Sequence, residues 1–161
     1  MNTNTRTHLS KRTMIMLRVN EQAEDFYDKS QELGTLAANA FFGIQGRERD
    51  KHRSQMTGLE NIAETTWKAT DVLDYIKKQM ARERSGWTTT HQFGEKLKQY
   101  IENGLTPAID AVCDSVGIGN ATEEDRRDRQ RIRLELIRQM IRQVVVQFEY
   151  QVNESENNNP K

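Results

Sequence analysis

Residues 122–152, TEEDRRDRQRIRLELIRQMIRQVVVQFEYQV, contain neither glycine nor proline, and their apolar side chains recur at helical spacing. Ile132, Leu136, Met140, Val144, Phe148 and Val152 form one row and Ile137, Ile141 and Val145 a second, which is the three- and four-residue pattern of an amphipathic helix and not the alternation of a strand. Thr122, with Asp125 three residues on and Glu123 and Glu124 between them, resembles a capping box and places negative charge at the positive end of the helix dipole. The two rows span a sector of about 200°, too wide for a helix with one neighbour, so the half rich in Val and Ile is predicted to be the central staff of the fold. The other half, EEDRRDRQRIR, has little to bury and is expected to project or to line a surface.

Further breaks and periodicities assign the rest of the chain. Ala23, Phe26, Leu33, Ala37, Phe41 and Ile44 predict a first helix from Glu21 to the glycines at 43 and 46, with Asn20 as its N-cap and the small residues 37–40 open to close approach. The mixed-charge block 46–53 reads as a solvated connection, a helix start or a phosphate-contacting turn. Met56, Leu59, Ile62, Ala63, Leu73, Ile76 and Met80 predict a second helix over 54–82, with Trp67 as a core or interface anchor and Gly58 as a point of bending or close packing. A third helix is expected to open at Thr88 and stop at Asn103 and Gly104. A short fourth follows, with Thr106 as N-cap and Pro107 in its first turn. With no repeat and no strand alternation, the chain is predicted to be all-α: a helical bundle of about five helices with a long C-terminal helix. The bundle is expected at 20–152, between a basic arm at 1–19 whose composition suits disorder and a polar disordered tail at 153–161.

Composition narrows the function classes. Of the 161 residues, 30% are charged and the formal net charge is zero, so bulk charge points to neither nucleic acid nor membrane. The distribution is bipolar: residues 1–19 carry Arg6, Lys11, Arg12 and Arg18 and no acid, 20–44 five acids against Lys29, and 105–125 five acids and no base. One cysteine, Cys113, excludes an internal disulfide and a multi-cysteine metal site. It reads as a small buried apolar residue in a reducing, cytoplasmic setting. No stretch approaches a membrane span, and residues 14–19 are too short for a signal-peptide core.

No spacing of chemical groups points to catalysis. His-Glu-x-x-His and Glu-x-x-His are absent, and His8, His52 and His91 fall in a tail, a charged connection and a helix start; His91, near Trp87, could be a site, but a surface or capping role is the usual one for such a histidine. The Gly117-Ile-Gly-Asn break follows a helix and lacks the Lys and Ser/Thr of a phosphate loop. The chain is therefore read as a non-enzyme with no cofactor, no metal and no small-molecule substrate. The arginines of the last helix remain. Arg127, Arg131, Arg138 and Arg142 fall within about 60° of one another at 100° per residue, a strip some 23 Å long that could follow a phosphate backbone. Equally, Asp128, Glu135 and Glu149 could pair with them as a solvated salt-bridged face, and residue types alone favour that. Lys78 and Arg82 add a second basic face at the end of the second helix.

In size, helix content, scarcity of proline and the segments QMTGLENIA at 55–63 and DVLDYIKKQ at 71–79, the chain resembles the small subunit of type III CRISPR effector complexes over about residues 20–150. The resemblance implies a non-catalytic scaffold subunit that stacks on copies of itself and on larger CRISPR effector subunits, touching guide and target RNA backbone without reading sequence. Catalysis would belong to those larger partners. On this reading the RNA contacts are Arg127, Arg131, Arg138, Arg142, Lys78 and Arg82. The alternative is a helical protein–protein adaptor or regulator with no nucleic-acid role.

Overall fold

The computed structural model describes residues 9–42, 47–82, 85–88 and 91–158, with side chains described outside 42–51. The described residues form no strand. They make seven α-helices and one π turn: α1 Lys11–Asp25, α2 Tyr27–Phe42, α3 Arg47–Thr65, α4 Ala69–Met80, α5 Phe93–Gln99, the π turn Tyr100–Gly104, α6 Thr106–Val116 and α7 Glu123–Asn157. An all-α bundle built on a long C-terminal helix is therefore the observed architecture.

At the start of α7 the Thr122 hydroxyl accepts from the Asp125 N–H at 3.0 Å, and the Asp125 carboxylate accepts from the Thr122 N–H at 3.4 Å, closing the capping box. Both predicted apolar rows are buried along their whole length. α1, α2, α3, α4 and α6 all pack on this helix, which explains the wide apolar sector. Close approach to α2 is made at Gly34: a Cβ there would lie 2.6 Å from the Val144 carbonyl oxygen and from the Gln147 Cβ. The small residues Ala37, Ala38 and Ala40 beside it are buried too. Phe41 then enters an aromatic group with Phe148 at 5.8 Å, Phe93 at 6.0 Å, Trp87 at 6.1 Å and His52 at 4.3 Å between ring centroids. Removing such a ring costs about 3–5 kcal/mol, because transfer and cavity costs add.

Several boundaries differ from those read in the sequence. The first helix begins ten residues before the expected Glu21, with Ser10 as N-cap accepting from the Thr13 N–H at 3.2 Å. Residues 11–19 therefore belong to a helix docked on α6 and α7 and not to an arm, while residues 1–8 lie outside the described residues. A single residue, Phe26 (φ −98°, ψ 9°), separates α1 from α2, and backbone hydrogen bonds continue on either side of it. The charged block opens α3, in which His52 is buried, with its Nε2 accepting from the Gly86 N–H at 3.3 Å. The expected start at Thr88 gives way to Phe93, the N-cap of α6 is Leu105, and α7 runs on to Asn157 through part of the expected tail.

The largest correction is at 66–68. The expected single helix over 54–82 is two, α3 and α4, folded back on each other, so that the Tyr75 hydroxyl beyond the turn donates to the Gln55 carbonyl at 2.7 Å. Tyr75 also covers Gly58, the close-packing position. Thr66 makes the reversal. Its hydroxyl oxygen accepts from the Lys68 N–H at 3.1 Å and bonds Asp71, replacing backbone bonds that a continuing helix would have made. In consequence Trp67, expected as a core or interface anchor, is 93% exposed and takes no part in the core, whereas Trp87 is fully buried with its indole N–H on Gln55 Oε1 at 2.8 Å.

Candidate nucleic-acid interface

The four arginines of the strip do share one face of α7, but the tertiary structure divides them. Arg138 is only 16% exposed. Its Nε donates to the Ala63 carbonyl at 2.9 Å and its Nη2 to the Thr66 carbonyl at 2.7 Å, while Nη1 meets Glu135 at 2.5 Å. A helix end leaves its last carbonyls without partners, and this guanidinium supplies them at the end of α3. One turn further on, Arg142 forks onto both oxygens of Glu64, at 2.5 and 2.9 Å. That bond holds the Glu64 carboxyl below its ordinary range, with partial burial pulling the other way.

Arg127 and Arg131 stay open. Their side chains are 70% and 79% exposed. Arg127 meets Glu123 at 2.6 Å on its own helix, and Arg131 reaches Asp128 at 3.6 Å. Asp128 is buried, and its nearer partner is Lys11 of α1 at 2.6 Å, which ties the start of α1 to this half of α7. The half expected to project or to line a surface does not project: Asp128 faces α1, Arg129 pairs with Asp110 of α6, and Ile132 and Leu134 are buried, so it lines the surface of the bundle. Glu123, Glu124, Arg126, Arg127, Gln130 and Arg131 remain exposed on it.

Lys78 and Arg82 are exposed, but the structure does not bring them to the strip. α4 starts at the turn beside Arg138 and runs away from it, so Lys78 lies about 15 Å along the helix from Lys68, at 1.5 Å per residue. What the sequence reading missed is the turn itself. It puts Trp67 and the exposed Lys68 at the end of the arginine face, and the Lys68 ammonium has no ion pair among the described residues. No glycine or proline marks it; its structure rests on the Thr66 hydroxyl, which accepts from the Lys68 N–H and bonds Asp71.

Elsewhere Glu102, Thr106, Ile109, Arg129, Gln130 and Arg133 line an open groove beside the π turn. Cys113 is buried, as expected, and burial pushes its thiol up, partly offset by Arg129. Among the described residues no group of three or more His, Cys, Asp and Glu is placed to hold a metal ion, and no helix is long and apolar enough to cross a membrane. Comparison with known proteins gives no match to a protein family, to a curated protein or to a solved structure.

Proposed function

We propose that this chain is a non-catalytic helical subunit of a ribonucleoprotein, of the kind found as the small subunit in type III CRISPR effectors, and that it touches RNA backbone without reading sequence. The observation that supports this is the open pair Arg127 and Arg131, about 6 Å apart along one face of α7. Their pairing with Glu123 and Asp128 does not oppose the reading: the exposed Arg127–Glu123 pair contributes only about 0–1 kcal/mol, and Arg131 reaches the buried Asp128 only at 3.6 Å, a carboxylate that keeps Lys11 at 2.6 Å when Arg131 turns to a phosphate. Arg138 and Arg142, occupied with α3, hold the fold together and take no phosphate on this reading. The acidic first turn, Glu123 to Asp125, repels a strand at the helix end and directs it from Arg127 towards the α3–α4 turn.

The test is an anisotropy titration of the full chain with labelled single-stranded RNA across a salt series. Two neutralised phosphates predict a slope of log K against log salt of about −1.4. Absence of RNA binding, both by the chain alone and by the native complex it purifies with, overturns the proposal. A protein–protein adaptor is the second reading, favoured by Val146 and Tyr150, two exposed apolar side chains four residues apart on α7. In that case the chain captures a protein partner whose binding is insensitive to loss of Arg127 and Arg131.

A further inference from the structure

We propose that Trp67 is a stacking platform for an unpaired base of single-stranded nucleic acid, a role that rests on the RNA-contact reading above and names the part of the ligand it would hold. Exposure of 93% leaves the indole almost wholly in water. A residue of this size is normally the most useful piece of apolar surface a small bundle has, and this chain buries its other tryptophan completely.

The turn that carries Trp67 is firmly held. Thr66 bonds Lys68 and Asp71, and Arg138 grips the Thr66 carbonyl from below. The backbone under the indole is thus set before any ligand arrives, which lowers the ordering cost of a contact made there.

Its surroundings suit a base better than a protein. A tryptophan that anchors a protein interface sits within an apolar patch ringed by polar residues. Around Trp67 the neighbouring residues Thr65, Lys68 and Thr70 are polar and exposed, and the side chains docked against the turn are those of Arg138 and the Arg142–Glu64 pair. A lone aromatic face with cations beside it can stack on any base, since every base presents a π-face.

Placement on the fold agrees. Arg138, which holds the turn, is seven residues beyond Arg131 on the same face of α7, about 10 Å along the helix. In order, one face therefore presents Arg127, Arg131, the Glu135–Arg138 pair and the turn bearing Trp67 and Lys68. A single strand laid along it meets two guanidinium groups at its phosphates and then the indole at a base. The cations next to Trp67 other than Lys68 are paired, so stacking and not charge would supply the affinity at this end.

The experiment titrates the full-length chain with two probes of equal length, an oligoadenylate RNA and an abasic phosphodiester oligomer, following tryptophan fluorescence and anisotropy. Trp87 is buried and serves as a constant background, with Trp67→Phe as the control for which signal moves. The expected results are quenching by the oligoadenylate and not by the abasic oligomer, and a Trp67→Ala variant of unchanged helicity that binds the oligoadenylate about tenfold or more weakly with an unchanged salt slope. Trp67→Phe should retain most of the affinity. Oligoadenylate binding without quenching, or with Trp67→Ala equal to wild type, overturns the stacking role while leaving the backbone contact standing. If neither probe binds the chain, alone or within the native complex it purifies with, or if Trp67→Ala abolishes capture of a protein partner instead, the stacking role falls together with the RNA reading.

Discussion

Arg138 of α7 donates to the carbonyl oxygen of Thr66 at 2.7 Å, so the helix end that a turn leaves unsatisfied is closed by a side chain 72 residues away. This bond, with its companion to Ala63, converts an arginine that the sequence offers as a phosphate ligand into part of the scaffold. It also fixes where Trp67 stands.

Replacing Arg138 should therefore act on stability first. Arg138→Met keeps the apolar stem but strips two carbonyls of their donors and leaves Glu135 without its partner, and a loss of about 2–3 kcal/mol is expected in urea denaturation. Arg138→Lys should recover less than half of it, because an ammonium cannot spread over the same sites as a planar fork. A Met variant as stable as wild type would show that the bond has no structural weight.

At the α2–α7 crossing, Gly34→Ala drives a methyl group against the Val144 carbonyl and the Gln147 Cβ, both 2.6 Å away. The helices must part, at a cost of about 1–3 kcal/mol. Gly119→Ala is the matched control, since its nearest neighbour, Asp125 Oδ2, is at an ordinary 3.5 Å. The control should remain within about 0.5 kcal/mol of wild type. Equal thermal stability for the two variants would contradict the close approach.

The open arginine pair can be separated from the engaged pair by charge reversal. Arg127→Glu/Arg131→Glu should keep wild-type helicity, weaken RNA binding and flatten the salt slope by about 1.4 units, as expected when two phosphate contacts are lost. An unchanged slope in the salt series would remove both residues from the interface.

Glu64 gives the chain an acid-side signature. The hydrogen bond from Arg142 holds its carboxyl below its ordinary value, so its contribution to stability is complete above the unfolded value of about 4.3 and is lost as pH falls through the lower folded value. Wild type should thus lose stability relative to Glu64→Gln on acidification below about pH 5. The side chain is 37% exposed, so solvent screening keeps the difference under about 1 kcal/mol. Parallel stability profiles for the two proteins across this range would rule the coupling out.

Cys113 offers a probe of opening. Buried, with its thiol raised chiefly by that burial, it should react with a disulfide reagent only when α6 opens, and at a rate that climbs steeply in denaturant. Immediate reaction of the native chain would place the thiol at the surface.

How much of this was legible in advance follows from the range of the forces involved. Residues 122–152 determined their own helix, its capping box and both buried rows, because periodicity and capping depend on residues a few positions apart. The same holds for the burial of Cys113 and for Gly117, which ends α6 at a φ of 75° with the Ile118 N–H on the Cys113 carbonyl at 2.9 Å. The fold-back at 66–68 was not legible. No glycine or proline marks it, and the apolar spacing of α3 continues in phase into α4, so a straight helix and a hairpin satisfy the same local pattern.

Only the tertiary structure could choose between them, because the decisive partners are distant in the chain: Arg138 for the carbonyls of Ala63 and Thr66, and Tyr75 for Gln55. That choice leaves Trp67 in solvent, while Trp87 lies in the core. It also split the arginine face. Where another helix end comes to rest on α7, a guanidinium gains more by completing that helix than by facing water, and where nothing comes to rest, at Arg127 and Arg131, the charge stays at the surface.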